Sequence, residues 1–72
     1  MPSAPSLFPR ITTSPLQMGG KPCIRGMRVT VGMIVGLLGV RSVSDILAAY
    51  PYLEREDLEQ AAAYAEQAAR LA

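Results

Sequence analysis

The sequence predicts a mainly α fold: a three-helix helix-turn-helix-like domain preceded by a short two-stranded β ribbon. Three observations predict it. Two β-prone stretches, 10–13 and 28–31, are separated by glycines and prolines that no helix tolerates. Apolar residues then recur at helical spacing, first Val31, Ile34, Val35 and Leu38, then Val43, Ile46, Leu47 and Tyr50. After Pro51 neither glycine nor proline occurs, and alanine, the best helix former, dominates.

Residues 1–9, MPSAPSLFP, hold three prolines and no basic start followed by an apolar block, so they read as a flexible proline-rich arm and not as a secretory signal. Residues 10–72 read as one domain, with the ribbon over 10–31 and the helices over 31–72. A chain of this size buries only ~60% of its unfolded surface, which makes it marginal alone. In the ribbon, Ser14-Pro15 stops the first strand, and Gly19, Gly20, Pro22 and Gly26 supply turn geometry. An isolated pair of strands is barely stable in water, so Ile11, Val29 and Val31 should rest on the helices.

The first helix takes Thr30 as its cap and Gly39 as its stop. The second opens at Ser42-Val-Ser-Asp, with Asp45 in the acidic position of a box-like cap, and Pro51 ends it. The third begins near Glu54, where acids suit the positive end of the helix dipole, while Arg70 suits the other end. Glu54 is a weak cap, so a loose start is expected. The inward stripe of this helix is read as Leu58, Ala61, Ala62, Ala65 and Ala69. Together with Ile34, Leu38, Ile46, Leu47 and Tyr50, Leu58 forms the expected core or, in part, a dimer interface, since so small a domain gains stability by self-association.

Composition removes several chemistries. With Cys23 as the only cysteine and no histidine, an internal disulfide and a structural zinc site are both out, and the free thiol fits a reducing cytoplasm. No catalytic residue and no cofactor is expected: the carboxylates read as lying on water-facing helix surfaces, with no nucleophile and orienting base beside them. Glu54, Asp57 and Glu66 read as helix-surface acids, not as metal ligands. Gly19-Gly20-Lys21 lacks the spacing of a phosphate loop. The apolar run 29–40 falls short of the roughly 18 residues a membrane span needs.

The net charge of +1 conceals a segregation. Arg10, Lys21, Arg25, Arg28 and Arg41 all precede the first acid, and all six acids follow from Asp45 onward. This predicts a basic ribbon that meets phosphates or carboxylates, half of the expectation being that the cations simply solvate a hairpin. As a DNA reader the third helix would offer Glu54, Glu56, Asp57 and Glu59 with only Arg55 in return, so operator DNA, if bound, would meet the paired ribbon.

The run I-T-T-S-P-L-Q-M-G-G-K-P-C-I-R-G-M-R-V-T-V from Ile11, with the later S-V-S-D-I-L-A-A-Y-P-Y-L-E-R-E-D-L from Ser42, resembles a bacterial family of small proteins. That family is domain of unknown function four hundred and thirty-three, described in part as VapB-like antitoxins. The resemblance covers roughly 10–65, with Gly19, Gly20, Lys21, Pro22, Ile24, Gly26, Arg28 and Val31 on the ribbon signature and Tyr50, Pro51, Leu53, Glu56 and Asp57 on the helical one. It implies a helix-turn-helix-like core, pairing of two copies through the strand region, and, in some members, a PIN-like ribonuclease toxin encoded alongside and neutralised. The expected function is accordingly that of an antitoxin-like protein of a type II toxin-antitoxin system: a cytoplasmic homodimer that silences a PIN-like nuclease and regulates its own operon on operator DNA. A stand-alone DNA-binding transcription regulator and a non-enzymatic accessory subunit remain as alternatives. A PIN-like site holds its metal with carboxylates, and Arg25 and Arg28 on a rigid turn could pair with them and displace the ion.

Overall fold

The computed structural model describes residues 8–71 and holds the expected architecture, three helices behind a small antiparallel β hairpin. The elements are β1 (Ile11–Thr12), a single 3-10 turn (Met18–Gly20), β2 (Cys23–Ile24), α1 (Val31–Leu38), α2 (Val43–Ala49) and α3 (Arg55–Leu71). Residues 1–7 of the expected arm lie outside the described residues. Phe8, also assigned to the arm, sits edge-on against Tyr64 of α3 at 5.4 Å between ring centroids.

The second strand is not where β-propensity puts it. β1 pairs with Cys23–Ile24, with Ile11 opposite Ile24 and Thr12 opposite Cys23. The 28–31 segment instead folds back on the other side of β2: the Ile24 N–H donates to the Val29 carbonyl at 2.9 Å, and Thr30 bridges to Cys23. The reason is local. Arg25 and Gly26 both take positive φ, 46° and 73°, and the Met27 N–H closes onto the Ile24 carbonyl at 2.8 Å, so the chain reverses immediately after β2. Thr30 is then claimed by α1, where its hydroxyl accepts the Met33 N–H, and the Val31 N–H goes to the Pro22 carbonyl. Upstream, Met18, Gly19 and Gly20 are three consecutive left-handed residues with φ of 49°, 66° and 84°, a path that requires glycine.

The helices start and stop on the expected signals. Ser42 Oγ accepts the Asp45 N–H at 3.1 Å, and Tyr50, before Pro51, leaves helical geometry. Gly39 ends α1 with an ordinary right-handed φ of −75°, so its role is not a left-handed cap. α1 packs chiefly on α3, closing a core of Ile24, Val29, Val31, Ile34, Ile46, Leu53, Leu58 and Ala61. Ile11, Leu38, Leu47 and Tyr50 pack against this core half-buried. Val35, Ala62 and Ala69, assigned to inward stripes, are exposed instead. α3 runs for 17 residues against the 8 of α1, so the C-terminal part of its stripe extends past the helix it packs on.

Candidate functional site

The expectation that the carboxylates face water fails at Asp57, which is 0% exposed. Two structural needs bring it inside. It stands three residues after Glu54, where a carboxylate can return to the helix start: its Oδ2 accepts the Glu54 N–H at 2.8 Å. The start of α3 is therefore pinned by Asp57 and is not loose, although Glu54 itself is a poor cap.

The remaining capacity of Asp57 is filled from the ribbon. Arg25 grips it with two prongs, Nε to Oδ1 at 3.1 Å and Nη2 to Oδ2 at 2.8 Å. Arg10 adds a third bond, Nη1 to Oδ1 at 3.0 Å. Arg25 Nη2 also donates to the Tyr52 carbonyl at 2.8 Å, tying the turn between α2 and α3 to the hairpin. Arg10 reaches on to Glu54 and Glu56, and its own N–H donates to Gln60 Oε1 at 2.9 Å. The Arg25 N–H donates to the Arg10 carbonyl at 2.7 Å, so both arginines are placed by one strand pairing.

Burial would push the Asp57 carboxyl up, but the bonds from Arg25, the Glu54 N–H and Arg10 together outweigh it and hold the group below the usual carboxylate range. The same contacts raise both arginines, chiefly through Glu54 for Arg10 and Asp57 for Arg25. A buried charge is tolerable only when fully paired, and among the described residues no buried side-chain polar atom lacks a partner.

The structure thus divides the five cations singled out from the sequence. Arg10 and Arg25 converge on Asp57 and are occupied within the chain. Lys21, Arg28 and Arg41 are exposed and, among the described residues, have no side-chain partner. Of the turn residues, Gly19, Gly20 and Gly26 do occupy left-handed backbone, and Pro22 supplies the carbonyl that fixes the start of α1. Cys23, whose single thiol reads from the sequence as buried or inert, is buried, whereas sequence reasoning missed Ile24 and Leu53 as core and Asp57 as the hub. The available signal for the hub was the segregation of charge itself: a cationic front half and an acidic helix start are each other's nearest complement.

Beside this closed junction lies an uncovered one. Met33 and Val35 on the flanks of α1, and Val40 just after its end, are exposed, Val40 to 80%. A separate open cleft of ≈ 200 Å³, lined by Leu38, Val43, Arg55, Leu58, Glu59 and Ala62, is below the roughly 300 Å³ at which small-molecule pockets begin. Among the described residues no cluster of three or more acids, cysteines or histidines is arranged for a metal, and no helix is long and apolar enough to cross a membrane.

Residues 11–65 match the sequence profile of a family described as protein of unknown function (DUF433). No curated protein matches the chain, and no solved structure does.

Proposed function

The chain belongs to the DUF433 family, and from that premise we propose that it is an antitoxin-like protein, a non-catalytic subunit that binds and silences a PIN-like ribonuclease. One observation carries the reading: internal ion pairing consumes Arg10 and Arg25 but leaves Arg28, with Lys21, unpaired at the hairpin among the described residues. A metal-dependent nuclease presents a cluster of carboxylates, and a free guanidinium pairs with such groups in a fixed bidentate geometry. Arg28 takes this role. Arg25, bound to Asp57 and Tyr52, holds the turn that presents it. The exposed apolar side of α1 supports the same reading, because protein partners, unlike phosphate backbones, cover apolar surface.

The neighbouring reading frame should encode a small PIN-like nuclease, and the two products should co-purify. Wild-type protein should abolish the nuclease activity of that partner and Arg28→Glu should restore it. Inhibition that survives Arg28→Glu removes the proposed mode of silencing. Operator binding would draw on Lys21, Arg28 and Arg41; three phosphate contacts per chain, six for a paired ribbon, predict a loss on the order of 10³-fold between about 50 and 200 mM salt.

A further inference from the structure

We propose that the outward face of α1 docks an apolar ridge of an acidic partner protein, an inference that rests on the partner-binding reading above. α1 is V-G-M-I-V-G-L-L and has no polar side chain anywhere on its circumference. A helix apolar all round is normally one that is buried all round. Here only one side is covered: Val31 and Ile34 enter the core, while Met33 and Val35, 37% and 39% exposed, stand on opposite flanks of the helix.

Between those two shoulders run Gly32 and Gly36, four residues apart and therefore on one line of the helix surface. Neither has a left-handed φ. A Cβ on Gly36 would meet nothing within 4 Å, and one on Gly32 only the Thr30 hydroxyl at 3.9 Å. Nothing in the fold thus asks for glycine at either position, and glycine inside a helix weakens it. What the missing side chains leave is a trough in the sense of bare, solvent-exposed backbone between Met33 and Val35, over which another helix can come close.

Charge decides the occupant. Arg28 precedes α1 and Arg41 follows it, both exposed and, among the described residues, unpaired. Eight residues of helix span about 12 Å, and a cation stands three residues beyond each end of it. Lys21 joins Arg28 at the first end, because Pro22 is bonded to Val31. A second copy of this face would bring cation onto cation whichever way it lay: Arg28 on Arg28 if parallel, Arg28 on Arg41 if antiparallel. An apolar ridge flanked by carboxylates complements it.

The experiment uses the full chain with Gly36→Leu, which fills the trough, and Met33→Lys, which charges its shoulder at a site already exposed. Thermal unfolding, gel filtration and capture of the PIN-like nuclease from the neighbouring reading frame are measured together. Both variants should unfold no lower than wild type by more than a few degrees, keep its oligomeric state, and lose capture at least tenfold. Double reversal at Arg28 and Arg41 should weaken capture as well. If the nuclease binds both trough variants as tightly as wild type, the docking face is wrong while the proposed function stands. If either variant dissociates a wild-type dimer, the occupant is a second copy and the inference is overturned. If wild type captures no nuclease, the functional reading falls and this one falls with it.

Discussion

Around Asp57 every polar atom has a partner, four N–H donors from two guanidinium groups and one backbone amide converge, and the side chain sees no water; along the outer side of α1 the surface is apolar, glycine-lined and bare. The two regions are separated by one hairpin turn, at whose start Arg25 points into the first while Arg28, three residues later, belongs to the second. The difference teaches how a chain with a strong segregation of charge divides it between folding and recognition. Cations within reach of an acid close the fold, and those out of reach stay available. Nothing about residue type distinguishes the two sets; the left-handed turn at Arg25-Gly26 does.

The comparison can be broken most severely at Asp57. Asp57→Ala takes from Arg25 its only carboxylate, from Arg10 one of three and from the Glu54 N–H its acceptor, and should cost about 3 kcal/mol in urea unfolding, a large part of what so small a domain has. A cost under about 1 kcal/mol would mean that the junction is ornamental. Acid should act in the same direction and more gently. The folded-state pKa of Asp57 lies below its unfolded value of about 3.9, so its contribution is complete above that value and drains away as pH falls through the folded one. Asp57→Asn, which keeps an acceptor for the Glu54 N–H, should flatten this acid limb when stability is measured from about pH 5 downward.

On the other side, Arg28→Glu should weaken nuclease binding by about 1.4 kcal/mol or more, a tenfold change, while the urea midpoint stays with wild type. A fall in stability there would erase the distinction between the two regions. The smallest effect sharpens it: Gly36→Ala should stabilise the free protein by ~0.5–1 kcal/mol in the same unfolding assay, since the position is helical and open.

The helices were legible because their signals are local. Thr30, Ser42 and Pro51 each act within four residues, and the structure uses all three as the spacing implies. β2 was not legible: two residues between Pro22 and a left-handed turn carry no period, whereas 28–31 has the better propensity and lost it to the cap of α1. Asp57 shows the deeper limit. Local spacing assigns it to a helix start, and that is correct, but its burial depends on arginines 32 and 47 residues away. The candidate site was half legible in the same sense. The cations were identifiable, while their division into bound and free required the register of Ile11 on Ile24.

The lateness of Asp57 in the chain has a consequence for synthesis. Until residue 57 has been made, Arg10 and Arg25 lack the buried carboxylate on which they converge, and the segment before it carries six positive side chains against Asp45, Glu54 and Glu56. Helices α1 and α2 can form by then, yet the lock between the beginning and the end of the domain cannot. A chain truncated before that codon would carry six cations against three acids and would lack the carboxylate that ties the hairpin to the start of α3.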